Sequence, residues 1–121
     1  MKTAQTTVLL SVVPQLPSLS LSQDIEFYKN ILGFQLMKAY PGFAILKREQ
    51  LELHLWHCDN KLIPENSSCY LRVENIDALY TEIKTTDVTM RSPLQLQQWG
   101  CREFIIADPS GNLIRIGELK N

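Results

Sequence analysis

Apolar residues recur along the chain with two periods, one helical and one extended, and their order predicts the elements. Leu21, Ile25, Tyr28 and Leu32 are spaced by four, three and four residues, which places them on one helical face. Ser20 stands at the N-cap with Gln23 three residues later, a capping-box pattern, and Gly33 sits where a helix-ending glycine belongs. The spacing predicts a helix over Leu21 to Leu32. Before it, the Val- and Leu-rich run Thr7 to Val13 stops at Pro14, with Pro17 following, and predicts a strand running into an extended arm. After it, Phe34 to Tyr40, Phe43 to Lys47 and Leu51 to Trp56 read as strands, with Pro41-Gly42 as the first turn. In the third strand, leucines alternate with Glu52, His54 and Trp56, so one face is apolar and the other presents an acid, an imidazole and an indole.

The stretch Asp59 to Ser67, with Pro64 and Asn66, reads as a linker, and beyond it the order repeats. Cys69 to Val73 is a strand, and Asn75 can cap a helix carrying Ile76, Leu79, Tyr80 and Ile83. Val88 to Met90 is a short strand, followed by an irregular stretch from Arg91 to Gly100. Cys101 to Ala107 pairs with Leu113 to Gly117 across Asp108-Pro109-Ser110-Gly111, a type I turn with its glycine in the fourth place. Ile25-Glu26-Phe27-Tyr28 and Asp77-Ala78-Leu79-Tyr80 occupy equivalent places in the two halves. The pattern predicts an α+β fold of two βαβββ modules, about 1–60 and about 67–121, in one domain spanning 1–121.

Composition narrows the picture. With 121 residues, 45% hydrophobic and 21% charged, the chain has the profile of one globular domain. Twelve Lys plus Arg against 13 Asp plus Glu give a net charge of −1, without a basic run or stripe, which argues against nucleic acid. The apolar run at Val8 to Val13 is far shorter than the roughly 20 residues a bilayer needs, and it lacks a cleavage pattern, so a cytoplasmic protein is expected. The odd set Cys58, Cys69 and Cys101 suggests neither a disulfide framework nor a metal knuckle.

His54 and His57 are three apart on a strand and point to opposite faces, and Cys58 lies about 13 Å along from His54 at roughly 3.3 Å per residue. Neither spacing suits a zinc ion with ligands near 2.0 to 2.3 Å. A site assembled from His54, Glu52 and Glu103 has no support from spacing, and His54 reads as a polar cavity or surface residue. His57-Cys58 and Cys101-Arg102 are adjacent and diverge on a strand, whereas a catalytic cysteine is activated by a sequence-distant, hydrogen-bonded base, so both thiols read as inert. Dinucleotide, P-loop and nucleophile-elbow motifs are absent from the sequence. The aromatic residues carry more information. Trp99 lies among Gln95, Gln97 and Gln98, Phe43 opens a strand and Trp56 ends one, which suits stacking on a planar ligand.

The pattern Ile25-Glu26-Phe27-Tyr28 with Ile31-Leu32-Gly33-Phe34, then Trp99-Gly100 with Arg102-Glu103-Phe104, then Asp108-Pro109-Ser110-Gly111-Asn112, resembles the bleomycin resistance proteins of the vicinal oxygen chelate superfamily. The resemblance runs in order along nearly the whole chain. It implies two βαβββ modules forming a curved mixed sheet in a homodimer that exchanges N-terminal strands, with Pro14 and Pro17 in the exchanged arm. Metal-using relatives carry ligands at positions that match Val13, Ser68 and Arg115. Valine and arginine cannot ligate a divalent cation and serine does so poorly, so no metal and no cofactor is expected. The resemblance implies a protein that is not an enzyme and sequesters a bleomycin-type glycopeptide antibiotic without altering it. Trp99 and Phe43 match the stacking positions. Glu52, His54 and Trp56, with Tyr70 and Arg72 in the second half, fall on the faces expected to line the cavity. A net charge of −1 requires local acids for a cationic drug, and Glu52 and Glu103 are the candidates. Two other readings stand beside this one: a small metalloenzyme of the same superfamily, a glyoxalase or thiol transferase with displaced ligands, and a binder of another planar small molecule.

Overall fold

A computed structural model describes residues 5–120. In chain order the elements are β1 (Gln15–Ser18), α1 (Leu21–Leu32), β2 (Gln35–Tyr40), β3 (Phe43–Arg48), β4 (Leu51–His57), α2 (Leu62–Glu65), β5 (Ser68–Arg72), α3 (Ile76–Lys84), β6 (Thr89–Leu96), β7 (Cys101–Ala107) and β8 (Leu113–Leu119). They form two four-stranded mixed sheets with the same topology, β1-β4-β3-β2 and β5-β8-β7-β6. In each sheet the first and last strands of the module are parallel neighbours and the other pairs are antiparallel. This is the duplicated βαβββ arrangement expected from the sequence.

Helix α1 has the expected bounds because its ends are chemically marked. Ser20 is extended and its hydroxyl accepts from the Gln23 amide at 3.4 Å, while Gly33, at φ 71°, turns the chain out of the helix. Tyr28 and Leu32 bury their shared face. The inner faces of the sheets supply Leu46, Leu53 and Leu55 from the first module and Phe104, Ile114 and Ile116 from the second, all in one apolar cluster with α1 and α3. Among the described residues, no helix is long and apolar enough to cross a membrane.

Four expectations are corrected. The strand expected over Thr7 to Val13 does not form; β1 begins at Gln15, and Val8, Leu9, Leu10 and Val12 are 71 to 94% exposed. Among the described residues these side chains pair with no strand. Pro17 instead lies inside β1, and it is tolerated because β1 has only one strand neighbour. Pro14 accepts from the His54 amide on β4 and Ser18 from the Cys58 amide just after it, so the intervening Pro17 turns its backbone the other way, where its carbonyl accepts from Asn112 Nδ2 at 2.8 Å. The linker holds the one-turn helix α2, started by Asn60, whose side-chain oxygen accepts from the Leu62 amide at 3.0 Å. Asn75 does not cap α3 through its side chain: its backbone is left-handed (φ 60°), and Glu118 on β8 accepts from the Asn75 and Ile76 amides at 3.0 Å each. Finally, the region expected to be irregular after Met90 continues β6 to Leu96, with register shifts on either side of Ser92 that accommodate Pro93 at the sheet edge.

A buried polar knot joins the modules. Asp108 Oδ1 accepts from the amides of Ser110, Gly111 and Asn112 at 3.1, 2.9 and 2.9 Å, which shapes the β7–β8 turn. Its Oδ2 accepts from Tyr28 Oη on α1 at 2.6 Å and from Asn112 Nδ2 at 2.8 Å. Asp24, also on α1, accepts from the hydroxyls of Ser18, at 2.5 Å, and Ser110. Burial holds the carboxyls of both Asp24 and Asp108 above the ordinary range, and the hydroxyl bonds they accept oppose that shift. Replacing Asp108 by Ala strands the Tyr28 hydroxyl and the turn amides, so urea unfolding of Asp108→Ala is expected to show a loss of about 3 kcal/mol or more, against about 1 to 2 kcal/mol for Tyr28→Phe.

Candidate functional site

The outer face of the first sheet carries one cluster of the candidate residues. Cross-strand register sets Phe43 opposite Trp56, Ile45 opposite His54 and Lys47 opposite Glu52, so Phe43, Glu52, His54 and Trp56 share the face away from the apolar core. His54 Nε2 lies 2.6 Å from Glu52 Oε2, and His54 Nδ1 lies 3.0 Å from Gln15 Nε2. A neutral imidazole with its proton on Nε2 donates to the carboxylate and accepts from the Gln15 amide, so both nitrogens are satisfied. The Phe43 ring meets the imidazole edge-on, with centroids 5.1 Å apart. His57 points to the other side of the strand and pairs with Asp59 at 2.8 Å.

The second sheet carries the other cluster. Trp99 stands in the turn between β6 and β7, closed by the bond from the Gly100 amide to the Gln97 carbonyl at 3.0 Å, and the residue is 65% exposed. Its indole Nε1 donates to Glu103 Oε2 at 3.0 Å, and Tyr70 Oη donates to the same oxygen at 2.6 Å. Glu103 is only 6% exposed, whereas Tyr70 keeps 40% of its surface in solvent with its hydroxyl turned inward. Burial of that hydroxyl, followed by its bonds to Glu103 and Cys101 and their negative charge, pushes the Tyr70 phenol up to about 12. The Arg72 guanidinium lies 5.4 Å from the Tyr70 ring centroid. Trp99, Glu103, Ile105 and Arg115 line a cleft of about 160 Å³.

In one chain these clusters lie on separate sheets. Phe43, Glu52, His54 and Trp56 are together, as are Tyr70, Arg72, Trp99 and Glu103. A cavity of about 390 Å³ between the modules touches both groups through Glu52 and Tyr70, and Val13, Pro14, Tyr28 and Ile114 form part of its wall. A groove of about 470 Å³ beside α3 has Arg48, Glu49, Glu74 and Glu82 on its walls and includes Arg72 alone of the candidates.

Of the three positions that the resemblance matches to metal ligands, Val13 lies ahead of β1, Ser68 is opposite Leu113, and Arg115 is opposite Tyr70. Among the described residues, no group of three His, Cys, Asp or Glu side chains could hold a metal ion. Cys58 and Cys101 are buried, and burial followed by the charge of Asp108 raises the Cys69 thiol to about 11, away from the thiolate form at neutral pH.

Three participants escaped sequence reasoning. Gln15 sits in a strand placed too early along the chain, and Arg115 was weighed only as a metal position. Gly117, whose place in β8 accommodates the Tyr70 hydroxyl, carried one local signal: a glycine inside an apolar strand marks a close approach.

The fold and these two faces define the class. Residues 16–116 match the family model described as Glyoxalase/Bleomycin resistance protein/Dioxygenase superfamily, and the chain belongs to that superfamily. Within it, the chain is 32% identical over an alignment of 124 residues to the bleomycin resistance protein of Staphylococcus aureus (strain N315), covering 88% of this chain and 94% of the relative. It is 29% identical to the bleomycin resistance protein of Klebsiella pneumoniae, over 85% of this chain and 87% of the relative. Among solved structures it is similar to the bleomycin-binding protein from bleomycin-producing Streptomyces verticillus complexed with copper(II)-bleomycin. The TM-score is 0.84 at 26% identity, covering 96% of this chain and all of that one.

The raised Tyr70 phenol has a measurable consequence. Its folded value of about 12 exceeds the unfolded value of 10.0, so its contribution to stability is intact below pH 10 and is lost as pH rises through about 12. In an absorbance titration at 295 nm, the difference between the native protein and Tyr70→Phe is expected to develop above about pH 11 rather than at the ordinary tyrosine value near 10.

Proposed function

We propose that this protein binds and sequesters a bleomycin-type glycopeptide antibiotic in the cytoplasm without altering it, and so confers resistance. The observation that carries this reading is Trp99, largely exposed and tethered at Nε1 to a buried carboxylate. A fixed, open indole suits a planar heteroaromatic group, and each stacked pair adds about 0.5 to 1.5 kcal/mol beyond its area term. Phe43 and Trp56 offer a second aromatic surface, and Glu52 supplies local negative charge for a cationic tail despite the net charge of −1. The named activity of the S. aureus and K. pneumoniae relatives points the same way. Sequestration makes no bonds, and the groups present suit that task. His54 is saturated by Glu52 and Gln15, and the Cys69 thiol is held protonated.

The working unit in this reading is a homodimer. The two aromatic faces lie on different sheets of one chain, and a second copy can set the first face of one protomer opposite the second face of its partner. The exposed Val8, Leu9, Leu10 and Val12 supply an apolar arm to exchange across that contact.

Titration calorimetry with bleomycin is expected to show about one drug per subunit, quenching of tryptophan fluorescence, and a loss of about 2 kcal/mol or more in Trp99→Ala. No heat at micromolar drug overturns the reading, and a mass change in recovered drug replaces sequestration with turnover. Sedimentation of the native chain is expected to give a dimer, and a chain starting at Pro14 is expected to give a monomer with weakened binding.

A further inference from the structure

Trp99 and Tyr70 are drawn to one carboxylate oxygen from opposite sides, and the space for this arrangement comes from an absent side chain. Glu103 on β7 and Arg72 on β5 both face Gly117 on β8, the strand between them. Tyr70, two residues before Arg72, therefore reaches Glu103 only by laying its phenol diagonally across the β8 backbone. A Cβ at position 117 would stand 2.0 Å from Tyr70 Oη, 2.7 Å from its Cζ and 3.0 Å from Glu103 Cγ. The backbone of Gly117 is not among the positive-φ glycines, so glycine is required there for room rather than for conformation.

We propose that Gly117, Tyr70 and Glu103 form a positioning device that sets the angle of the Trp99 indole before ligand arrives. The inference rests on the reading of Trp99 as the stacking surface and goes beyond it by giving Glu103 a different task. An exposed tryptophan in a turn ordinarily samples several rotamers, and fixing one on binding costs affinity. Here Nε1–H is tied to Glu103 Oε2, an oxygen itself held by the shorter bond from Tyr70. Arg72 lies over the Tyr70 ring from β5, so the phenol is held at the ring as well as at the hydroxyl. Glu103 thus acts as a fixed acceptor for the indole, and Trp99 offers the ligand its ring faces. The four-residue separation in Trp99-Gly100-Cys101-Arg102-Glu103 lets the ring fold back from the turn onto its own strand.

The test pairs a spectroscopic measurement that needs no ligand with a binding measurement. In a ¹H–¹⁵N spectrum, with Trp56 as internal reference, the Trp99 indole proton is expected downfield and slow to exchange with water. Glu103→Ala and Gly117→Ala are expected to return it to the position of a free indole and to raise the bleomycin Kd about tenfold, as loss of a hydrogen bond to a charged group would. Glu103→Gln, which keeps an acceptor oxygen, is expected to stay within about threefold of native. If Gly117→Ala does not fold, the double variant Tyr70→Leu/Gly117→Ala removes the clash and is expected to match Tyr70→Leu alone in both measurements. An indole proton unmoved by Glu103→Ala, or moved with Kd unchanged, overturns the inference. A native protein that fails to bind bleomycin overturns the proposed function, while the spectrum still decides whether the device exists.

Discussion

The Asp108 carboxylate is the contact on which the rest of the structure depends. One oxygen gathers the amides of its own turn, and the other accepts from Tyr28, eighty positions earlier, and from Asn112. Asn112 in turn holds the Pro17 carbonyl at the edge of β1, and Ser110 binds the Leu19 amide. Helix α1, strand β1 and the last hairpin are thereby fixed to one another. Asp24 and Tyr28 on α1 and the Asp108–Asn112 turn form one structural unit, although they stand far apart in the sequence. Burying two carboxyls is unfavourable in itself, and the hydroxyl and amide donors offset that cost.

With the modules locked, strand alternation divides the side chains into two populations. Inward residues are leucine, isoleucine and phenylalanine, and they fill the shared core. The outward faces carry polar and aromatic residues that satisfy one another within their own sheet: His54 with Glu52 and Gln15, Tyr70 and Trp99 with Glu103. Such mutual satisfaction leaves ordered aromatic surfaces and few free reactive groups. That is a favourable arrangement for recognition, because polar groups already paired need not be reorganised when a ligand displaces water.

The local periods carried most of the fold. The helix from Leu21 to Leu32 agrees with the structure at both ends because its signals, Ser20 and Gly33, lie within one turn of it. Expectations failed where a distant partner decided the outcome. The run from Val8 to Val13 has strand composition but, among the described residues, no strand pairs with it. Asn75 is a favourable capping residue by type, yet Glu118 arrives from β8 to do the work. Pro93 masked a long strand because proline is excluded from central strands and tolerated at edges, and edge position is a property of the assembled sheet.

The candidate site divides along the same line. Sequence alone determined that Glu52, His54 and Trp56 share one face of a strand, because the two-residue period is fixed by backbone geometry. It likewise determined that Trp99 lies in a polar turn and that the chain resembles a family of binding proteins. Tertiary structure decided that Phe43 joins His54, that Tyr70 and Trp99 converge on one oxygen of Glu103, and that Gly117 makes their meeting possible. The reason is one of range. A pattern of a few residues sets which way a side chain points, but which side chains meet depends on the register among β5, β8 and β7, set by contacts between residues tens of positions apart.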